Sequence, residues 1–177
     1  MRKMVHVSDF EIFSNQCSTL KETSKDHHGE EELYMTDSLM EVVDFDKVKE
    51  VYAENLHLQE RPKSNDAIYF GKNGELTFIE FKNGTVEPYE IRRKCFDSIL
   101  ILTDIIGKGI SYTRENVNYI LVYNETTAKD FIKKKFLEKG GKEFTKYGAG
   151  YFENYCFKSV HTWTADEFES KFVRVNS

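Results

Sequence analysis

The spacing of apolar residues predicts two long helices in the middle of the chain. Behind Asp44, whose carboxylate can cap a first turn, apolar residues recur every three or four positions as far as about Asn55. A second series begins after Pro88 and stops at Gly107, a residue type that favours helix ends. Apolar residues cover more than one face of this second series, so we expect a central helix. Its repeating positions are Ile91, Cys95, Ile99, Leu102 and Ile106.

Alternating and continuous apolar runs predict strands. The segments DAIYF (66–70) and ELTFIEF (75–81) are separated by GKNG, a short glycine-containing connection that is typical of a β-hairpin. Residues 116–124, NVNYILVYN, are rich in β-branched and aromatic side chains and are predicted to form a buried strand. Residues 151–160, YFENYCFKSV, are predicted to form another strand.

Capping residues predict two further helices in the last third of the chain. Thr126 or Thr127 can cap a helix that continues to about Lys139, where two glycines follow. The segment from Thr164 to Glu167 fits a capping box. In this motif the side chains of the first and fourth residues each accept a hydrogen bond from the backbone amide of the other residue. A last short helix is therefore expected after the strand at 151–160.

The order of these elements predicts an α/β fold. Strands joined through helices favour a partly parallel sheet that is covered on both faces, and the hairpin adds an antiparallel part. We therefore expect residues 1–177 to form a single domain with a mixed β-sheet flanked by helices. Its core is expected at about 44–160, behind an acidic N-terminal extension, 1–43. Within this extension the polar residues 21–32 are predicted to be a mobile loop.

Composition and charge narrow the class of protein. The apolar runs are far shorter than the roughly 20 residues of a membrane-spanning helix, and the N-terminus lacks a signal-peptide pattern, so we expect a cytoplasmic protein with no membrane partner. Three widely spaced cysteines match neither a disulfide framework nor a zinc pattern. The net charge is -5, yet residues 62–177 carry 18 Lys/Arg against 16 Asp/Glu. This part of the chain can therefore present a basic surface to a polyanion.

Glu80 and Lys82 are charged residues at the end of an otherwise apolar strand. Side chains alternate between the faces of a strand, so Glu80 and Lys82 share one face with Leu76 and Phe78. Asp66 begins the preceding strand, and a divalent cation held between strand ends needs two or three such oxygen ligands. The alternative is an ordinary hairpin with an exposed ion pair, although such a pair contributes only about 0 to 1 kcal/mol and leaves the apolar neighbours unexplained.

Asp66, followed after 13 residues by Glu80-Phe81-Lys82, resembles the signature of the PD-(D/E)XK nuclease superfamily. The resemblance covers roughly 44–160 and implies a restriction-endonuclease-like core. In that core a helix is followed by a three-strand meander, a helix, a strand, a helix and a further strand. The missing strand of the meander is expected at Leu56–Arg61. One departure from the family pattern is that Asn65, and not a proline, precedes Asp66.

The resemblance implies a metal-dependent nuclease that hydrolyses phosphodiester bonds of DNA, or of RNA, with a metal-activated water. Asp66, Glu80 and the backbone carbonyl of Phe81 would hold Mg²⁺ or Mn²⁺, since these ions prefer oxygen ligands. Lys82 would orient the water and stabilise the negative charge that develops on phosphorus. The partner would then be a nucleic acid, and the small size of the chain suggests a homodimer or an additional partner protein.

Further site residues are implied by the two helices of the family core. An acidic residue on the first helix often supports the metal; Glu54, Glu50 and Glu41 are candidates, of which Glu54 is the closest in sequence to the motif. Basic residues early in the second helix often reach the phosphate, a role that Arg93 or Lys94 matches. Two alternatives remain open. One is a catalytically inactive nuclease-fold protein that binds nucleic acid or a protein partner, and the other is a small α/β interaction module whose hairpin faces solvent.

Overall fold

A six-stranded mixed β-sheet crosses the protein in this computed structural model, which describes residues 4–28, 31–84, 87–124 and 128–177. The strands are β1 (Cys17–Thr19), β2 (Lys25–His28), β3 (Glu31–Tyr34), β4 (Glu41–Asp44), β5 (Ala67–Phe70), β6 (Leu76–Lys82), β7 (Val117–Tyr123) and β8 (Ser159–Thr164). The helices are α1 (Glu11–Ser14), α2 (Leu20–Thr23), α3 (Phe45–Asn55), α4 (Pro88–Ile106), α5 (Ile110–Asn116), α6 (Ala128–Lys139), α7 (Ala165–Phe168) and α8 (Arg174–Asn176). Short 3₁₀ segments lie at Val7–Asp9 and Ala149–Phe152, and a π-helical segment lies at Glu169–Val173.

The order of strands across the sheet is β1-β4-β5-β6-β7-β8. The pairs from β1 to β6 are antiparallel, whereas β6, β7 and β8 run parallel. The short turn between β5 and β6 permits antiparallel pairing, while the long crossover through α4 and α5 returns the chain for parallel pairing of β7. Strands β2 and β3 form a separate antiparallel hairpin. The predicted mixed α/β sheet is therefore confirmed.

Each face of the sheet packs against helices. On one face Phe78 of β6 contacts Phe45 of α3 edge to face, with ring centres 4.9 Å apart, and α4 contributes Cys95 to the same core. On the other face Phe81 of β6 packs edge to face on Phe168 of α7, with ring centres 5.7 Å apart. Successive residues of β6 thus alternate between two cores, as the sequence pattern predicts, and this alternation holds the strand in register.

The helices and the hairpin that follow from periodicity are present in the structure. Helix α3 ends at Asn55, and α4 stops before Gly107, whose φ of 63° is the left-handed conformation that glycine adopts easily. Helix α6 ends at Lys139 as expected, but the proposed caps, Thr126 and Thr127, lie outside the described residues. These elements depend on local patterns and caps, which a sequence displays directly.

Of the loop expected at 21–32, residues 29 and 30 lie outside the described residues, and most of the rest is regular structure. This segment holds the end of α2, strand β2 and the start of β3, and Lys25 of β2 is paired in register with Tyr34. Lys25 also forms an ion pair with Glu32. Backbone pairing and polar contacts hold this hairpin together. Its sequence therefore lacks the alternating apolar residues that would predict a strand. The expected N-terminal extension, 1–43, also supplies β1 and most of β4 to the central sheet.

Two strands lie elsewhere than expected. Residues 56–61, all of which the structure describes, form no strand, and the hairpin instead pairs with β4, which precedes α3. Val42 and Val43 of β4 are buried on opposite faces of the sheet, whereas residues 56–61 are exposed and would bury little by pairing. The strand expected at 151–160 begins only at Ser159, because Asn154 has a left-handed φ of 58° and the preceding residues form a 3₁₀ turn.

The predicted capping box begins α7, and its removal should destabilise the protein. Thr164 accepts a hydrogen bond from the Glu167 amide, and the Glu167 carboxylate accepts one from the Thr164 amide at 3.1 Å. Thr164→Ala is expected to lower the free energy of unfolding by about 1 kcal/mol, measured by urea denaturation. Thr103→Ala is the matched control, because the Thr103 hydroxyl donates to carbonyls of its own helix. Equal losses in the two variants would contradict the role of the cap.

Candidate active site

Asp66 lies just before β5, beside the end of β6. The register pairs Ala67 with Ile79, so one further step along each strand places Asp66 next to Glu80. Oδ2 of Asp66 accepts a hydrogen bond from the Phe81 amide at 2.6 Å. The hairpin therefore brings together the acidic residues that are 14 positions apart in the sequence pattern, and a backbone hydrogen bond holds the first of them in place.

Glu80 is completely buried on the face of the sheet that α4 covers. Its Oε1 accepts a hydrogen bond from Lys94 Nζ at 2.6 Å and lies 2.9 Å from Lys82 Nζ. Its Oε2 is buried without a hydrogen-bond partner among the described residues. A buried carboxylate oxygen is costly unless it is paired, so a water or a cation at this oxygen would stabilise the site.

Lys94 of α4 contacts both carboxylates at once. Its Nζ lies 3.2 Å from Asp66 Oδ1 and 2.6 Å from Glu80 Oε1, and 18% of its side chain is exposed. The two carboxylates are thus close enough to share one cation, and here the chain supplies that cation itself. A hairpin that faces solvent with its carboxylates apart does not match this geometry.

The close packing of charges changes the proton affinities of the site. Burial, and then the neighbouring charge of Glu80, raise the pKa of Asp66 to about 7, although Lys94 and the Phe81 amide act in the opposite direction. Burial disfavours the charged form of Lys94, but Glu80 and Asp66 outweigh it and raise the pKa of Lys94 above its ordinary value. Lys94 therefore remains a cation, while Asp66 takes up a proton as the pH falls through 7.

The oxygen atoms of this site fit a magnesium or manganese ion. The Lys82 carbonyl accepts from the Asn124 amide on the β7 side of the strand. Because carbonyls alternate along a strand, the Phe81 carbonyl points the other way, toward β5 and Asp66. Within the described ranges no group of three or more His, Cys, Asp or Glu side chains is arranged to hold a metal. Mg²⁺ commonly binds through one or two carboxylates and keeps several waters, so the carboxylates of Asp66 and Glu80, the latter with its unpaired Oε2, and the Phe81 carbonyl are a suitable donor set.

A cleft of about 700 Å³ opens beside Asp66 and Lys82. Its other walls come from the start of α3 and from residues 22–26, neither of which the motif indicates. Asp46 lines this cleft, accepts a hydrogen bond from Ser64, and adds to the raised pKa of Asp66. No local pattern marks Asp46 as a site residue, because its position beside Asp66 depends on the pairing of β4 with β5.

The acidic residues considered as metal support lie in three different places. Glu54 is 66% exposed at its side chain, lies 3.8 Å from Arg61, and is not part of the wall of the cleft. Glu41 lies beside Cys17, at a separate cavity. Glu50 lines the cleft that contains Asp66, and it also pairs with Arg61 at 3.3 Å. Of the three candidates, Glu50 is therefore the one that the fold brings to the site.

The two basic candidates on α4 point in different directions. Lys94 reaches inward to the carboxylates, whereas Arg93 is exposed and its Nε lies 3.7 Å from Asp97 Oδ2. Both nevertheless line a second cavity of about 300 Å³, which Lys82 and Lys63 also contact. Lys82 thus lies at the wall of both cavities, between the acidic cleft and a smaller basic pocket.

The fold and the site define a mixed α/β protein in which one end of the sheet holds two carboxylates and two lysines. No family model matches the chain, and no curated protein and no solved structure was found to be similar to it. Across the described ranges, no helix has both the length and the apolar character that crossing a membrane requires. What points to a function is therefore the geometry of the site itself.

Proposed function

We propose that the protein is a metal-dependent nuclease with a restriction-endonuclease-like core, and that it hydrolyses phosphodiester bonds of DNA or RNA. The observation that carries this proposal is the contact of a single ammonium group, that of Lys94, with the carboxylates of both Asp66 and Glu80. Carboxylates this close together, with Lys82 beside them, provide oxygen ligands for a divalent cation and a fixed positive charge for a phosphate.

The strand order supports this proposal. Strands β4, β5 and β6 form an antiparallel meander, α4 then leads to β7, and β7 and β8 continue the sheet in parallel. This order agrees with the core that the resemblance implies, apart from α3, which lies between β4 and β5 instead of before the meander. The different position of α3 does not separate the proposed ligands. Asp66, just before β5, still lies next to Glu80, near the end of β6.

Each side chain has a separate role in the proposed hydrolysis. Asp66, Glu80 and the Phe81 carbonyl would hold the metal, which when bound supplies a Lewis acid for the phosphate and lowers the pKa of a water. Lys82 is fixed 2.9 Å from Glu80 at the edge of the cleft, so its charge can stabilise the extra negative charge of the pentavalent phosphorus. Lys94 compensates the charge of the second carboxylate. The net charge of the two carboxylates and the two lysines is therefore zero when both acids are ionised.

The proposal is tested with single-stranded and double-stranded DNA and RNA, each incubated with the protein and Mg²⁺, Mn²⁺ or EDTA. We expect products with at least one metal and none with EDTA. Glu80→Gln keeps the shape of the side chain but loses its charge, so this variant should be inactive and thereby exclude a contaminating nuclease; circular dichroism would check its fold. If none of the substrates is cut and calorimetry detects binding of neither metal, the proposal is refuted.

The contact made by Lys94 also favours a second candidate function, that of an inactive nuclease-fold protein that binds nucleic acid or a protein partner. Its Nζ already provides a cation to both carboxylates, so the ion pairs could serve only to hold α4 on the sheet. Calorimetric titration with Mg²⁺ and Mn²⁺ separates the two functions. Nucleic-acid binding in EDTA without metal binding or cleavage would support this second function.

A further inference from the structure

The pocket of about 300 Å³ beside the candidate active site is rich in positive charge. Its walls contain four basic side chains and one acidic one: Lys63, Lys82, Lys94, Arg93 and Glu90. Lys82 and Lys94 are paired with carboxylates of the site, whereas Lys63 and Arg93 are exposed to solvent. Among the side chains that line the pocket, cations therefore outnumber carboxylates, and this excess suits a phosphate group.

Asp97 joins the two exposed cations, although they come from different parts of the chain. Its Oδ2 accepts a hydrogen bond from the backbone amide of Lys63 at 2.8 Å and lies 3.7 Å from Arg93 Nε. The segment that carries Lys63 is thereby attached to α4. Because the Lys63 backbone and the Arg93 side chain are partly ordered before binding, less entropy is lost when the two residues bind a phosphate than with two independent surface residues.

Tyr89 adds an exposed aromatic ring to the same pocket. It lies in the first turn of α4, directly after Pro88, and is 71% exposed. Aromatic rings beside cations are typical of single-strand sites, where a base stacks on the ring while the cations bind the backbone. In a duplex the faces of the bases are covered by their neighbours except at the two end pairs, so away from the ends this ring can stack only on an unpaired base.

The charge and size of the two cavities favour the pocket over the cleft as the place where a strand enters. The cleft of about 700 Å³ is lined by more acidic than basic residues, Asp44, Asp46 and Glu50 among them, and would repel a polyanion. The smaller pocket lies at the lower end of the size range of ligand sites, which suits about one nucleotide. Lys82 lies at both cavities, so a strand held in the pocket passes the proposed catalytic residues.

We propose that this pocket binds an unpaired nucleotide of a single-stranded nucleic acid, with its base on Tyr89 and its phosphate between Lys63 and Arg93. The substrate class of the enzyme is then single strands or single-stranded ends, an inference that rests on the proposed nuclease function for the cleavage step. The binding itself does not depend on that step and can be measured without metal.

Binding is measured by fluorescence anisotropy in EDTA, with a short labelled DNA strand and with the same strand in a duplex. We expect the single strand to bind at least about tenfold more tightly than the duplex. Tyr89→Ala should weaken single-strand binding by about 5- to 150-fold, the equivalent of about 1 to 3 kcal/mol for one stacked base, while Tyr89→Phe keeps the ring and the affinity. Lys63→Gln should reduce the salt slope of binding by about 0.7.

Matched controls lie outside the pocket. Tyr155 is 51% exposed and Lys108 is also exposed, so Tyr155→Ala and Lys108→Gln should bind as the wild type does. Equal affinity for strand and duplex, or equal losses in Tyr89→Ala and Tyr155→Ala, would overturn the inference. Displacement of the strand by an equimolar free mononucleotide would also overturn it, since the site would then recognise a nucleotide and not a strand.

The outcomes also separate this inference from the proposed function. Binding of the single strand that depends on Tyr89, without cleavage in Mg²⁺ or Mn²⁺, would support the pocket and refute the nuclease. Metal-dependent cleavage that requires Lys82 but shows no preference for single strands would refute the pocket and support the nuclease.

Discussion

Replacement of Lys82 by alanine is expected to lower the rate of nucleic-acid cleavage by about 10²- to 10³-fold, the usual effect of removing one fixed group that stabilises the charge of a transition state. Lys82 is the cation that both the cleft and the basic pocket share, and its Nζ is held 2.9 Å from Glu80. Glu80 keeps its hydrogen bond from Lys94 in this variant, so the fold should persist. Single-turnover cleavage measures the effect, and calorimetry should show metal binding close to that of the wild type.

The turn of the same hairpin offers a control for Lys82. Lys72 is exposed in that turn, and Lys72→Ala removes an equal charge from the hairpin without changing the site. We expect this control to cut at the wild-type rate, and circular dichroism should show both variants folded. Full activity in Lys82→Ala would contradict the role assigned to the lysine, whereas an equal loss in both variants would indicate a general effect of charge.

Replacement of Asp66 by asparagine is expected to change how stability depends on pH. The Asp66 carboxyl has an ordinary pKa of 3.8, which burial and the charge of Glu80 raise to about 7 in the folded state. Between these values the folded state holds this proton and the unfolded state does not, so stability falls as the pH rises. A tenfold change in proton affinity corresponds to about 1.4 kcal/mol, so the wild type loses on the order of a few kcal/mol by pH 7.

An asparagine side chain cannot ionise, so the Asp66→Asn variant should gain stability relative to the wild type from about pH 4 to 7 and keep a constant advantage above pH 7. Urea denaturation in EDTA at several pH values measures this difference. Glu75→Gln is a control with the opposite pH dependence. Lys158 lowers the pKa of Glu75, so this substitution should reduce the free energy of unfolding most at pH values above the ordinary pKa of 4.5. A difference between Asp66→Asn and the wild type that does not vary with pH would contradict the raised pKa.

Mg²⁺ should affect the wild type and the Asp66→Asn variant differently. An ion that binds only the folded state raises its stability, and the gain grows with the logarithm of the ion concentration once this exceeds the dissociation constant, so Mg²⁺ at pH 8 should raise the thermal midpoint of the wild type. In Asp66→Asn one of the two carboxylate ligands is lost, and the midpoint should shift much less. Equal shifts in both proteins would place the ion somewhere other than at Asp66.

The central elements of the fold follow from local pattern. The spacing of apolar residues and their caps predicts α3 and α4, because a helix buries one stripe of side chains wherever it lies. The same holds for β6, whose residues alternate between the cores that contain Phe78 and Phe81. Strand β4 does not follow from the sequence because two buried valines are too short a pattern, and the strand predicted instead at 56–61 is wrong because those residues are exposed.

The candidate site is predictable in part for the same reason. Asp66, Glu80 and Lys82 belong to two adjacent strands, so alternation and a short turn are enough to bring them together. Lys94 and Arg93 are neighbours on α4 and differ by about 100° around the helix axis, so which of them reaches the carboxylates depends on how α4 packs. Sequence spacing alone leaves that choice open.

The walls of the two cavities are decided by tertiary structure. Asp46 and residues 22–26 reach the cleft because β4 pairs with β5, and Lys63 and Tyr89 meet at the basic pocket through Asp97 and α4. Short-range periodicity determines helices, the hairpin and the charged end of β6, since each depends on residues a few positions apart. Contacts across the sheet join segments far apart in the chain, so only the packed fold shows which charges surround the carboxylates.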